Sequence, residues 1–400
     1  MGTTAVEPGD PPGRPAAAPG LAEVARQWGR IGVVGFGGPP AHVSLLRELC
    51  VDRRRWIDPR RFEDAIAATN LLPGPASTQL AIYCAWRLRG AAGAVVGGLC
   101  FVLPGLVLIV ALGALFLSGS PPEWLRGAGA GAGAAVAAVA VDAGARLALP
   151  AWRRARGAYR GRLLAYAVLG GAAAATLGPW LVAVLLSCGL VEVAVRRAGS
   201  GRAPLAALLP PAGLLLAAGA ATGGLGALAW TAFKVGALSY GGGFVIIPLM
   251  QADAVDRYGW MTDGQFLNAV ALGQVTPGPV THTVAVVGYA AFGVGGALFA
   301  AAIAFAPSFS FILLGADRFD RLLANRDVRS FLDGAGPAAI GAILGSAIPL
   351  AAALGEAWQV AVLAGAALAL FVARVGVVAT LLAAGVVGAA AGLLGAPLPL

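Results

Sequence analysis

The sequence predicts an all-α polytopic membrane protein made of two inverted homologous repeats with broken or re-entrant helices. Of its 400 residues, 58% are hydrophobic and only 12% are charged, whereas soluble domains carry about 25% charged residues. Apolar stretches of spanning length recur, as at 93–117 and 285–316. Because a spanning helix needs about 20 such residues, we expect roughly 10 to 13 membrane segments.

One motif that occurs twice predicts the repeats. The second copy follows the first at a constant offset of 204 residues, the separation of Pro73 and Pro277, without a gap. Matching glycine and proline breaks inside apolar segments are typical of secondary transporters with internal repeats. The copies read Gly37-Gly38, Asp52-Arg53, Trp56, Phe62 and Pro73-Gly74-Pro75, then Gly241-Gly242, Asp256-Arg257, Trp260, Phe266 and Pro277-Gly278-Pro279.

The motif and the apolar pattern divide the chain into consecutive parts. Residues 1–20 predict a disordered, proline-rich tail that lacks the basic-then-apolar pattern of a signal peptide. Residues 21–149 form the first transport repeat and 221–350 the second. Residues 150–220 contribute connecting membrane segments and basic loops, and 351–400 contribute C-terminal membrane helices. The four cysteines show no metal-ligand spacing, so neither a metal site, a disulfide framework nor a cofactor is expected.

The charge of equivalent loops predicts opposite orientations for the two repeats. The loop at 50–61 carries five arginines against two aspartates, whereas the loop at 254–265 carries one arginine against two aspartates. Arginine-rich short loops stay in the cytoplasm, so the first loop is expected there while the second shows no such preference. The alternative is a parallel repeat with relaxed loop charge. The net charge of +9 is explained by such loop clusters and does not predict nucleic-acid binding.

The first Pro-Gly-Pro lies midway between two basic groups, Arg60-Arg61 and Arg87 with Arg89. If both groups are cytoplasmic, the chain between them enters and leaves the membrane on one side. A helix cannot run straight through Pro-Gly-Pro, so the motif would form the tip of a re-entrant hairpin. The alternative is a single spanning helix that is kinked at the motif.

These breaks predict a binding site for an oxyanion. A helix that starts inside the membrane presents free N–H groups and the positive end of its dipole. Hydroxyl and amide groups follow the first Pro-Gly-Pro, and hydroxyl and imidazole groups follow the second. Glycines permit close backbone approach, although glycine also serves helix packing. Two inverted hairpins would bring these groups toward one point. The predicted substrate-binding residues are Gly37, Gly38, Pro73, Gly74, Pro75, Ser77, Thr78 and Gln79, then Gly241, Gly242, Gly243, Pro277, Gly278, Pro279, Thr281, His282 and Thr283.

Two cations complete the predicted site. Lys234 lies beside the second glycine break, and Arg30 holds the equivalent position in the first repeat. A cation at the same place in both halves would suit a divalent anion; the alternative is that both snorkel to an interface. For His282, a hydrogen-bonded histidine at a helix start is favoured over a proton relay. Asp142 is expected to pair with Arg146 one helical turn later.

A set of motifs across both halves is typical of one transporter family: Gly35-Phe36-Gly37-Gly38, Asp52-Arg53-Arg54-Arg55-Trp56, Leu72-Pro73-Gly74-Pro75 with Gln79, Phe101-Val102-Leu103-Pro104-Gly105, Lys234-Val235-Gly236, Tyr240-Gly241-Gly242-Gly243, Trp260 and Thr276-Pro277-Gly278-Pro279. With these motifs the chain resembles the chromate ion transporter family in its long, duplicated form, from near Ala22 onward. The resemblance implies an inner-membrane protein that exports chromate, a tetrahedral dianion similar to sulfate, driven by the electrochemical gradient. One departure is Ser239-Tyr240 where the first copy has Gly35-Phe36.

The expected function is therefore secondary transport of chromate, with sulfate or another inorganic or small organic anion as the alternative substrate. An enzyme is not expected, because His42 and His282 form no His-x-x-x-His pair and no Walker-type phosphate loop occurs. A scaffold would not need helix breaks at equivalent depths in both halves. The expected partners are the lipid bilayer, a chromate-like oxyanion and a proton as candidate coupling ion, with no nucleic acid. The sequence leaves open the coupling ion, the direction of flux and the oligomeric state, for which a homodimer is one candidate.

Overall fold

The computed structural model describes residues 18–71, 74–117, 119, 121–176, 181–198, 224–239, 245–315 and 325–398. These residues fold into helices joined by short connections, and none of them lies in a β-strand. The predicted helical class is confirmed. The predicted tail lies outside the described residues except for 18–20, as do Pro73, Gly241, Gly242 and Gly243 of the predicted site.

The first half begins with three short helices that precede the first Pro-Gly-Pro. Pro39 and Pro40 suit the first turn of the second helix, because a residue there needs no N–H donor. The elements are α1 (Leu21–Val34), α2 (Pro39–Arg47) with a π-helix (Glu48–Arg53), α3 (Pro59–Leu71), α4 (Ala76–Phe116), α5 (Glu123–Arg154), α6 (Ala158–Thr176) and α7 (Leu181–Ala198).

The second half repeats this order of elements. Its third helix, like α3, runs for 13 residues and begins and ends at the offset of the sequence motif. The elements are α8 (Gly224–Leu238), α9 (Ile246–Gln251) with a π-helix (Ala252–Arg257), α10 (Asp263–Val275), a 3-10 turn (Val280–His282), α11 (Thr283–Gly315), α12 (Arg326–Ala352), α13 (Ala357–Ala367) with a π-helix (Leu368–Val372) and α14 (Val377–Leu393).

The long helices α5 and α12 each pack against the last two helices of the other half. Helix α5 contacts α13 and α14, and α12 contacts α6 and α7. Small residues allow these backbones to approach closely. A side-chain carbon added at Gly131 would lie 2.2 Å from the Ala384 carbonyl oxygen, and one at Gly341 would lie 1.8 Å from that of Ala167. The two halves are therefore interleaved, with α5 and α12 at the interface.

Four of the described helices are long and apolar enough to cross a membrane: α4, α5, α12, and α11 counted from Val280. Helices α8, α14 and α13 with its π-helix are shorter and also apolar. These helices indicate a multi-pass membrane protein, and the total of 10 to 13 segments stays a prediction. Within α5, Arg146 Nε donates to Asp142 Oδ2 at 2.7 Å, which confirms the predicted pair.

Helices α4 and α11 are broken at matching places. Gly90 in α4 has φ of 59° and ψ of −150°, and Gly293 in α11 has φ of 62° and ψ of −153°. Such positive φ values are accessible to glycine at little cost. Each break separates a short helical segment, which follows Pro-Gly-Pro, from a longer apolar one.

The short segments on both sides of the first Pro-Gly-Pro have the dimensions of a hairpin. The 13 residues of α3 span about 20 Å at 1.5 Å per residue, less than the hydrocarbon thickness of about 30 Å. Ala68 of α3 shares an apolar cluster with Ile82 and Ala94 of α4, so the two helices lie side by side. This shape is compatible with the re-entrant hairpin, which stays a prediction.

Candidate oxyanion site

Each Pro-Gly-Pro turn ends one helix and starts the next. Gly74 and Gly278 have φ of 120° and 97°, values that L side chains rarely adopt. Pro75 and Pro279 follow in extended conformation and cap the next helical segment without a side-chain hydrogen bond. The first N–H groups of these segments have no partner within their own helix. Two helix starts with free donors result.

The second Pro-Gly-Pro turn packs against the first repeat. Gly278 N donates to the carbonyl oxygen of Gly35 at 3.0 Å, in the first glycine break. A side-chain carbon added at Gly105 of α4 would lie 2.1 Å from the carbonyl oxygen of Pro277. This approach requires glycine at position 105.

The first Pro-Gly-Pro turn packs against the second repeat in the reciprocal manner. A side-chain carbon added at Gly74 would lie 3.2 Å from the Gly236 carbonyl oxygen and 3.4 Å from Ser308 Oγ. Ser308 follows Pro307 of α11 as Gly105 follows Pro104 of α4. Both turns therefore lie at the interface between the repeats.

The polar side chains after each turn are buried. Ser77, Thr78 and Gln79 expose at most 2% of their surface, and Thr281, His282 and Thr283 expose at most 1%. The buried polar groups of the described residues that have no hydrogen-bond partner include Thr78 Oγ1, Thr281 Oγ1, Ser308 Oγ and both ring nitrogens of His282. Leaving such a group unsatisfied costs about 1–3 kcal/mol. These groups are available to a polar ligand.

His282 lies at the start of the second helical segment, where a hydrogen-bonded histidine is expected from the sequence. Its ring nitrogens have no hydrogen-bond partner among the described residues, although the Val102 backbone lies beside the ring. Phe305 contacts the ring edge to face, with ring centroids 5.3 Å apart. The hydrogen-bonded interpretation stays a prediction.

His42 is a residue of this region that was not among the predicted site residues. It is fully buried, and Phe101 contacts its ring edge to face at 5.0 Å. Its Nε2 lies 2.9 Å from the Gly35 carbonyl oxygen and its Nδ1 lies 3.1 Å from Ser77 Oγ. The available signal was a histidine in the first turn after Pro39 and Pro40, directly behind the glycine break.

The two predicted cations do not share an environment. Arg30 is exposed, whereas Lys234 is 4% exposed and its Nζ lies 2.5 Å from Asp253 Oδ2. Thr231 Oγ1 donates to the same oxygen at 2.7 Å. Gly236, which faces the first turn, is two residues from Lys234 and hence on the opposite side of the helix. Binding of the anion by Lys234 and Arg30 stays a prediction, and the two side chains differ in burial and in partners.

The first glycine break lies beside the second helix start. Gly37 and Gly38 have φ of 96° and 72°. A side-chain carbon at Gly38 would be 3.9 Å from Val280 Cγ2 and would meet nothing closer. The break therefore leaves backbone exposed toward the 3-10 turn that contains Thr281 and His282.

A cavity of about 300 Å³ lies between the end of α6 and the second half, and its lining includes Gln251 and two acidic residues, Asp256 and Asp263. Gln251 Nε2 donates to Asp263 Oδ1 at 3.1 Å. Burial, with the charge of Asp263 as second cause, raises the pKa of Asp256. Two neighbouring carboxylates repel an anion, so this cavity does not suit an oxyanion.

Two repeats of apolar helices that meet at buried polar helix starts define the class of protein as a membrane transporter. A family model described as Chromate transporter matches residues 22–193 and 226–389, and the chain belongs to this family. The resemblance noted from the motifs is thereby confirmed. The family consists of transporters, so the expectation that the chain is not an enzyme is also confirmed.

Curated relatives support this assignment over most of the chain. A chromate transport protein of Pseudomonas aeruginosa is 33% identical over 364 residues, covering 82% of this chain and 80% of the relative. A chromate transport protein of Cupriavidus metallidurans is 31% identical over 338 residues, covering 80% of each chain. An uncharacterized transporter of Methanocaldococcus jannaschii is 25% identical over 319 residues, covering 76% of this chain and 77% of the relative. No solved structure matches the chain.

Proposed function

We propose that the protein exports chromate across the cytoplasmic membrane, driven by the electrochemical gradient, through an oxyanion site between two inverted repeats. The observation that carries the proposal is the meeting of two helix starts with buried, unpartnered donors at the repeat interface. The relatives named as chromate transport proteins support chromate as the substrate.

The chemistry of the donors suits a tetrahedral dianion. Chromate accepts hydrogen bonds on each of its four oxygens, and neutral N–H and O–H donors with helix dipoles stabilise such an anion. Thr78 comes from the first helix start, and Thr281 and His282 come from the second. Ser308 adds a hydroxyl from α11 next to Gly74. Donors from both repeats would close around one anion.

An inverted arrangement would let the two hairpins alternate access to this site. The arginine-rich loop near Arg53 supports a cytoplasmic position for the residues on either side of the first hairpin. Rigid movement of one repeat against the other would then expose the site to either side of the membrane. A proton as coupling ion and a homodimer as assembly stay predictions.

The experiment is chromate uptake into everted membrane vesicles, with sulfate and molybdate as competitors. Replacing Thr78 and Thr281 by valine removes one hydroxyl each at constant shape. Hydrogen bonds to a charged group contribute about 1.5–3 kcal/mol, so each variant should raise the half-saturation concentration of chromate by about tenfold or more.

Thr380→Val is the matched control, because Thr380 is equally buried and its hydroxyl bonds within its own helix to Gly376. Uptake by this variant should equal that of the wild type. If the correctly folded wild type shows no gradient-dependent uptake of chromate, the proposed substrate is wrong. If Thr78→Val and Thr281→Val behave like Thr380→Val, the proposed location of the site is wrong.

A further inference from the structure

A chain of hydrogen bonds through His42 links the start of α4 to the second Pro-Gly-Pro turn. Ser77 Oγ lies 3.1 Å from His42 Nδ1, and His42 Nε2 lies 2.9 Å from the Gly35 carbonyl oxygen. The same carbonyl oxygen accepts from Gly278 N at 3.0 Å. His42 thus connects a predicted ligand of the first repeat to the turn of the second.

The geometry determines which nitrogen of neutral His42 carries hydrogen. A carbonyl oxygen can only accept, so Nε2 must be the N–H that donates to Gly35. In the neutral ring Nδ1 is then an acceptor, and the Ser77 hydroxyl donates its hydrogen to it. With this hydrogen committed, Ser77 presents only lone pairs to any further group. In that state Ser77 cannot donate to an anion.

We propose that His42 is a proton-binding positioning residue, and that a proton on its Nδ1 releases the Ser77 hydroxyl to donate to the transported anion. With both ring nitrogens protonated, Nδ1–H donates to Ser77 Oγ while the Nε2–H bond to Gly35 is unchanged. The hydroxyl hydrogen of Ser77 is then free to rotate toward the site. The inference rests on the proposed function, because it takes Ser77 as a ligand of the anion.

A proton on His42 would be sensitive to a bound anion, because the charged side chains on the neighbouring elements are mostly exposed. His282 of the second repeat is the titratable side chain that faces it. The elements packed against α2 are α1, the first π-helix and α4. Their charged side chains are exposed, apart from the half-buried Glu23, which pairs with Arg54; the exposed ones are Arg26, Arg30, Glu48, Asp52, Arg53, Arg87 and Arg89.

A buried imidazolium needs a counter-charge, and a dianion held beside Ser77 would supply it. Proton and anion would therefore bind cooperatively, each increasing the affinity for the other by the same factor. This reciprocity assigns to His42 a role in coupling that Thr78 and Thr281 do not have, since their hydroxyls bond to no titratable group.

The test measures the dissociation constant of chromate for the purified full-length protein between about pH 5.5 and 8. Burial lowers the pKa of His42 and a bound dianion would raise that pKa, so the affinity for chromate should rise toward the acid end of this range. Chromate takes up a proton itself in this range, so each variant is compared with the wild type at every pH. The gain in affinity from high to low pH should be about tenfold larger in the wild type than in His42→Gln, because the Ser77 bond to the charged anion is lost.

Ser77→Ala should reduce the pH dependence, leaving only the part that comes from attraction between the His42 imidazolium and the dianion, and it carries the test if His42→Gln does not fold. His282→Gln should weaken binding at all pH values and keep the pH dependence of the wild type. Equal pH dependence in the wild type and in Ser77→Ala or His42→Gln would overturn the inference while leaving the proposed function intact. No chromate binding by the wild type at any pH would overturn the proposed function and the inference with it.

Discussion

The first and second repeats fold through the same turns but carry different polar groups within them. In the first, Trp56 N donates to Cys50 O at 2.8 Å after the π-helix, and Trp260 N donates to Ala254 O at 2.8 Å in the second. Yet the first repeat has the hydrogen-bonded His42 where the second has Ile246. The second has the buried Asp253 where the first has Leu49.

This comparison distinguishes the features that maintain the architecture of both repeats from the features that differ between them. The shared features are backbone features: π-helices, positive-φ glycines and close approaches that exclude a side chain. The Gly32 approach to the Phe101 carbonyl and the Gly236 approach to the Ala304 carbonyl are one such pair. The features that the repeats do not share are buried polar side chains, such as His42 in the first repeat and Asp253 in the second. The proposed anion site at the interface would therefore be asymmetric, with each repeat supplying different groups.

The largest expected effect concerns the orientation of the repeats. With the native cysteines replaced by alanine, Arg53→Cys and Arg257→Cys place exposed thiols at equivalent positions. Because the first loop is expected in the cytoplasm, a membrane-impermeant maleimide should label only Arg257→Cys in intact cells. Both should react after permeabilisation. Labelling of both thiols from the same side would show that the repeats are parallel.

A large effect on stability is expected from the charge pair of the second repeat. Lys234→Met leaves Asp253 buried without a counter-ion, which should lower the free energy of unfolding by about 3–5 kcal/mol. The double variant Lys234→Met/Asp253→Leu removes both charges and should recover most of this loss. Arg30→Met, at the equivalent exposed position, should change the free energy by about 0.5 kcal/mol or less.

Thermal unfolding of the purified protein in detergent measures all three variants. A cost of Lys234→Met no greater than that of Arg30→Met would show that the ion pair does not stabilise the fold. The double variant also isolates the predicted role of Lys234 in anion binding, because it folds without that charge. Unchanged chromate affinity in the double variant would remove Lys234 from the site.

Much of the fold was predictable because its breaks are made by residues with unusual backbone properties. The Pro-Gly-Pro motif occurs twice in the sequence, around Gly74 and around Gly278, and the structure places both turns at the repeat interface. The pair of Asp142 and Arg146 was predictable from its spacing on one helix. Local spacing and chain-breaking residues carry this information without knowledge of the tertiary structure.

The environments of the buried polar residues were not predictable in the same way. Lys234 and Asp253 are distant in sequence and meet only when α8 packs against α9 and its π-helix. His42 meets its hydrogen-bond partner Ser77 only through the packing of α2 against α4. Repeat equivalence misled here, because it relates Lys234 to Arg30 by position and says nothing about the neighbours of each side chain.

The smallest expected effect concerns the turn after each π-helix, which has a similar backbone but a different residue in the two repeats. After the π-helices, Arg55 has φ of 50° and its equivalent Gly259 has φ of 57°. A side-chain carbon at Gly259 would meet nothing within 4 Å, so Gly259→Ala carries only the conformational cost of positive φ, about 1–2 kcal/mol. Gly295→Ala, equally unobstructed but helical, should instead stabilise by about 1 kcal/mol. Arg55→Gly should stabilise slightly, by about 0.5–1 kcal/mol, because relief of the positive-φ cost of about 1–2 kcal/mol exceeds the glycine entropy of about 0.5–1 kcal/mol. Thermal unfolding measures these differences, and stabilisation by Gly259→Ala equal to that of Gly295→Ala would show that the two turns are not equivalent.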